Sequence, residues 1–159
     1  MRVSARRRFA PAAGALGLAV VALDTLTKQL AETHLGSPVE LTFGAQLSLG
    51  YNSGVAFGAL SSAPDAVVLA AVSACVAALV TALVRGWLPA SALAVGLLAG
   101  GAVANLVDRA PDGRVTDFID LPRWPAFNVA DIAITVAVLA LVVGSLRADA
   151  SGKPSTSTP

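Results

Sequence analysis

Four long apolar stretches divide the chain. They run from Phe9 to about Leu30, from Ala66 to Val84, from Trp87 to Val107 and from Val129 to Leu146. Each approaches the ~20 residues that carry a helix across a ~30 Å hydrocarbon core. None has one apolar and one charged face, the pattern of a helix lying on a soluble protein. Ala, Gly and Val dominate them, and small residues let helices approach closely in lipid. The pattern predicts an all-α membrane protein with four transmembrane helices.

The polar connections add detail. Between the first two stretches, over 32–63, Val39, Leu41 and Phe43 alternate with polar or small neighbours, as do Leu47, Leu49 and Tyr51. A period of two predicts short strands, here with a turn at Gly44-Ala45, and so a small β-strand platform. The connection from Asp108 to Asn128 is short and holds Pro111, Gly113, Pro122 and Pro125. The link at Arg85-Gly86 is tight. Residues 148–159, rich in Ser, Thr and Pro, read as a disordered tail. Residues 1–147 then form a single domain.

Composition supports lipid as the solvent. Of the 159 residues, 55% are hydrophobic and 13% charged, about half the charge that covers a soluble domain. The net charge of +1 gives no basic footprint for nucleic acid. Its distribution gives orientation instead. If the chain weaves four times, Arg2, Arg6, Arg7, Arg8, Arg85, Arg147 and Lys153 share one side. Arg109, Arg114 and Arg123 share the other. That asymmetry places both termini in the cytoplasm and the platform outside the cell (inner) membrane. The N-terminal arginines before an apolar run also fit a cleaved secretory signal. The run continues past Asp24 and Lys28 to full span length, which fits a retained anchor better.

One cysteine, Cys75, excludes an intramolecular disulfide and reads as a packing residue. One histidine, His34, argues against a multi-histidine metal site. The chemistry must lie elsewhere. Charged groups inside spans cost ~2.5–3.5 kcal/mol each on insertion scales and commonly mark function. Here they gather at one depth, the outer span ends. Asp24 and Lys28, four apart, share a helix face and form an ion pair or orient a polar neighbour. Asn105, Asp108 and Arg109 share a face at the end of the third stretch. Asn128 reads as an N-cap, with Asp131 in the first turn behind it. Asp117 lies between them. Two carboxylates held close share a proton, so one serves as base toward water while the other donates to a carbonyl oxygen. The spacing alone does not choose which two.

The segments Asp24-x-x-x-Lys28, Asn52-Ser53-Gly54-Val55-Ala56-Phe57, Gly101-Ala102-x-x-Asn105-x-x-Asp108-Arg109, Val115-Thr116-Asp117-Phe118 and Phe127-Asn128-x-Ala130-Asp131 make that choice. In this order, on four spans, they resemble the motif set of the lipoprotein signal peptidases (signal peptidase II), over about residues 14–146. The resemblance implies an intramembrane aspartyl endopeptidase that frees prolipoproteins of their signal peptide by cutting before a diacylglyceryl-modified cysteine. It implies Asp117 and Asp131 as the catalytic dyad. It implies Asn52, Asn105, Arg109 and Asn128 as positioning residues, with Asp24, Lys28 and Asp108 as a supporting network. Lipid-modified precursors and membrane lipids are the expected partners, with no metal or organic cofactor and a monomeric chain. Ala104 departs from the family's usual glycine, and the stretch between Asp117 and Asp131 is short for the family. Two other readings compete. One is a small transporter using the carboxylates as a proton or cation relay. The other is a serine peptidase pairing Ser53 with Lys28.

Overall fold

The computed structural model describes residues 2–53, 67, 74, 77, 78, 81, 85 and 91–151. Apart from the isolated positions, the expected second span, 66–84, lies outside the described residues. So do the start of the third, 87–90, and the motif residues Gly54 to Phe57.

Three described helices are long and apolar enough to cross a membrane, over Ala10–His34, Ala92–Arg109 and Val129–Arg147. Helix α1 (Arg2–His34) buries Ala13, Val20, Asp24, Lys28 and Ala31, positions spaced three, four or seven apart along one stripe. Its other faces leave Leu18, Leu23, Leu26 and Leu30 exposed, as a lipid-facing helix does. Helix α2 (Ala92–Arg109) starts where the Ser91 hydroxyl accepts the Ala94 N–H at 3.2 Å, satisfying one of the orphan donors of its first turn. Helix α3 (Val129–Ser151) runs past the expected end at Leu146.

Helix α2 lies between the other two, and glycines set both approaches. A methyl group built on Gly100 would lie 2.6 Å from the Gly17 carbonyl oxygen of α1. One built on Gly101 would lie 2.6 Å from the Ala130 carbonyl oxygen of α3. The adjacent glycines therefore serve opposite faces. Close backbone contact supplies the dispersion energy that holds helices together where lipid removes the hydrophobic drive. It also brings the polar ends of α1, α2 and α3 together.

A four-stranded antiparallel sheet, in the order β1-β2-β3-β4, stands at that end. Strands β1 (Val39–Glu40) and β2 (Gln46–Asn52) come from the segment expected to hold strands. The reversal is earlier than Gly44-Ala45. A 3₁₀ turn covers Thr42–Gly44, with Phe43 at φ 61° and Gly44 at φ 75°. Leu41 and Phe43 consequently leave the ladder, and Phe43 is 96% exposed.

Strands β3 (Val115–Leu121) and β4 (Trp124–Phe127) arise from the proline-rich connection, where no strand was expected. Its breakers sit at positions a hairpin tolerates. Gly113 has φ 77° ahead of β3, Pro122 and Arg123 form the turn, and Pro125 lies on the edge strand β4. Val115 to Phe118 are buried without interruption, so the segment shows no alternation.

Candidate active site

The site is built from the ends of the three described helices and the middle of the sheet. Lys28 is its ionic centre. The buried ammonium reaches Asp24 Oδ2 at 2.8 Å, Asp108 Oδ2 at 2.9 Å and Asn105 Oδ1 at 3.0 Å. Three donors thus meet three acceptors, on α1 and α2. Asp24, 1% exposed, uses its other oxygen to accept the Ala130 N–H of α3 at 2.8 Å. The α1 pair therefore does both things its spacing allows: it is an ion pair, and it braces a neighbouring helix end.

Lys28 also sets the orientation of an amide. An ammonium can only donate, so Asn105 must present its oxygen to it. The Asn105 amide nitrogen is then directed to Asp131 Oδ1, at 2.8 Å. Asn105 Oδ1 also accepts from Asn128 Nδ2 at 3.1 Å. That nitrogen donates in turn to Asp117 Oδ1 at 2.7 Å. Charge on Lys28 is relayed as geometry through two asparagines to two carboxylates.

Asn128 joins those carboxylates. It is fully buried and caps α3. Its Oδ1 accepts the Asp131 N–H at 3.0 Å, and its own N–H donates to Asp131 Oδ2 at 3.3 Å, a reciprocal capping arrangement. Its side-chain nitrogen holds Asp117. One residue thereby fixes both carboxyl groups. Asp117, in β3 opposite Gly50 of β2, receives a second amide hydrogen bond from Asn52 at 3.2 Å. Burial pushes the Asp117 carboxyl up to about 6, and the nearby Asp131 charge adds to the rise against the pull of the two asparagines.

Arg109 is buried. Its guanidinium donates to the Asn52 carbonyl oxygen at 3.3 Å and to that of Gly113 at 3.4 Å, tying the end of β2 to the turn before β3. All nine residues singled out in the sequence therefore meet in one connected network. Two others join it. The Thr116 N–H donates to Asp108 Oδ2 at 2.7 Å, and the Thr116 hydroxyl donates to Glu32 Oε1 at 3.1 Å. Glu32 continues the Asp24, Lys28 spacing by one more helical turn, a signal present in the sequence. Thr116 stood in the Val115-Thr116-Asp117-Phe118 motif, but its part could not be read there, because it depends on where β3 lies.

The model of the family described as signal peptidase (SPase) II matches residues 16–147. The chain belongs to the signal peptidase II family. A relative named lipoprotein signal peptidase from Aquifex aeolicus is 38% identical over 136 residues, covering 80% of this chain and 81% of that one. One of the same name from Moorella thermoacetica is 38% identical over 130 residues, covering 79% and 87%. These relatives give the transporter alternative no support. A bacterial membrane enzyme solved by the in meso method at 2.3 Å is similar in structure, with a TM-score of 0.75 and 28% identity. That match covers 92% of this chain and 94% of the solved one. Membership of the signal peptidase II family, with three apolar helices, makes this a membrane-bound peptidase.

Proposed function

We propose that the chain is an intramembrane aspartyl endopeptidase with Asp117 and Asp131 as its catalytic dyad. It removes the signal peptide from prolipoproteins, and the bond cut precedes a diacylglyceryl-modified cysteine. The observation that carries the reading is Asn128, which hydrogen-bonds both carboxyl groups. The relatives' shared name supports the substrate class.

The two carboxyl groups share one proton, because like charges held together resist double ionisation. The ionised carboxylate takes a proton from water as the water oxygen attacks the peptide carbonyl carbon. The protonated partner gives its proton to the carbonyl oxygen. The tetrahedral intermediate collapses as its C–N bond breaks: the carboxyl that took the proton from water gives it to the nitrogen of the leaving cysteine, and the other carboxylate takes back a proton from a hydroxyl of the intermediate. Asn52, Asn105 and Asn128 hold the pair, while Arg109 fixes the end of the strand that presents Asn52. Asp24, Lys28 and Asp108 form the support beneath.

In this reading residues 1–147 form one domain with four spans, 66–84 supplying the second. Both termini are cytoplasmic, and the sheet stands at the outer face of the cell membrane. Acyl chains of the substrate lie in the surrounding lipid, which sets the modified cysteine at the depth of the dyad. The chain acts as a monomer.

Co-expression with a lipid-modified precursor tests this. Wild type should shorten the precursor, and Ser53→Ala should do the same. Asp117→Asn and Asp131→Asn should leave it uncut. Full processing by both Asn variants contradicts the aspartyl mechanism.

A further inference from the structure

We propose that Glu32 is a positioning residue of this site, holding Asp117 in place through the hydroxyl of Thr116. The proposal rests on the peptidase reading above and adds a residue outside the motifs that carry it.

Asp24, Lys28 and Glu32 occupy three successive turns of one face of α1. Each turn holds a different part of the site. Asp24 accepts the Ala130 N–H at the start of α3. Lys28 binds Asn105 and Asp108 on α2. Glu32 accepts the Thr116 hydroxyl of β3. The face is thus a ladder whose top rung reaches the strand that carries Asp117.

Thr116 is the right place for such a hold. It directly precedes Asp117, is 3% exposed, and is gripped on three sides. Its N–H goes to Asp108 at 2.7 Å, its hydroxyl to Glu32 at 3.1 Å, and its carbonyl oxygen accepts from Asn128 at 3.3 Å. The first two bonds tie the strand to α2 and α1, and the third ties it to the cap that holds both carboxyl groups. Thr116, the residue before Asp117, is therefore tied to all three described helices. Removing the Glu32 contact frees the Thr116 side chain to turn and lets the strand shift along its ladder, where β2 and β3 already change register between Leu47 and Gly50. A shift of a fraction of an ångström moves Asp117 relative to Asp131, and catalytic geometry is sensitive on that scale. Glu32 touches no reacting atom in this scheme, so its effect falls on kcat.

The test uses the full chain, purified in detergent, with a lipid-modified precursor peptide. For each variant kcat, KM and the melting temperature are measured. Thr116→Val keeps the shape and loses the hydroxyl; Glu32→Ala loses the acceptor. Each should lower kcat by roughly tenfold, the scale of small misplacements, with KM within about twofold of wild type. Thr116→Ser and Glu32→Gln keep a donor and an acceptor and should retain wild-type kcat. The double variant Glu32→Ala/Thr116→Val should be no slower than either single one, because both remove the same bond. Wild-type kcat in Thr116→Val and Glu32→Ala, with wild type cutting normally, overturns the positioning role alone. So does an equal loss in Thr116→Ser, or a double loss that is the product of the single ones. A wild-type chain that leaves the precursor uncut, or an Asp117→Asn variant that cuts it, overturns the peptidase reading itself.

Discussion

Asp24 and Asp108 sit against an ammonium, whereas Asp117 and Asp131 are held by asparagines. All four are carboxylates in one polar layer, three on helices and Asp117 on strand β3. Asp24 and Asp108 lie within 3 Å of Lys28 Nζ. The hydrogen bonds to Asp117 and Asp131 come from Asn52, Asn105 and Asn128. A buried ion pair fixes the charge of its members, since removing either partner strands the other. An amide donor fixes position at a smaller electrostatic cost and leaves a carboxyl able to exchange its proton. In the proposed mechanism the first pair builds the site and the second does the chemistry. Lys28 connects them, because it orients the Asn105 amide that reaches Asp131.

Breaking the ionic half should give the largest effect. Lys28→Met leaves two carboxylates without their ammonium, one of them 1% exposed. Loss of one partner from a buried pair costs about 3–5 kcal/mol. Thermal unfolding in detergent should show a large drop in melting temperature, and an unchanged melting temperature would remove Lys28 from the support. Breaking the amide half should act on rate instead. Asn128→Ala removes the group common to both carboxyls and should lower kcat roughly 100-fold, the scale of losing one preorganised donor. Its cap loss adds about 1 kcal/mol of destabilisation. Equal effects of the two variants on rate per folded molecule would erase the distinction.

The smallest effect sharpens the comparison through pH. In the proposed mechanism the reaction needs one proton on the dyad, so activity should fall on the alkaline side as that proton is lost. With Asp117 at about 6, the alkaline limb of kcat/KM should lie near that value. The Asn52 amide donates to the ionised form of Asp117 and so holds its proton affinity down. Asn52→Ala removes that donation and should move the limb to higher pH. A limb that moves to lower pH, or stays fixed, contradicts the assignment of Asn52 as a ligand of the dyad.

Much of this arrangement was legible in the sequence because span length and helix spacing are local properties. Asp24 and Lys28 at i and i+4 had to share a face, and Asn128 ahead of an apolar run had to read as a cap. The choice of Asp117 over Asp108 was not local. It came from the resemblance; the fold adds only that Asp108 pairs with Lys28 while Asp117 lies under two asparagines. Strand β3 was missed because burial of consecutive residues, Val115 to Phe118, hides the period of two. The turn at Thr42–Gly44 was misplaced by one or two residues because Phe43 takes the left-handed conformation beside Gly44. The contacts of Thr116, a motif residue, could not have been found before β3 was known. Glu32 could, by following the Asp24, Lys28 face one more turn.

The most direct test of the division between structural and chemical carboxylates compares Asp24→Asn with Asp117→Asn. Both are purified in detergent, their melting curves recorded, and single-turnover cleavage of a lipid-modified precursor measured per folded molecule. Asp117→Asn should melt near wild type and cut nothing. Asp24→Asn should melt clearly lower, while its folded fraction cuts within about tenfold of wild type. Cleavage by Asp117→Asn, or an equally complete loss in folded Asp24→Asn, would contradict the account.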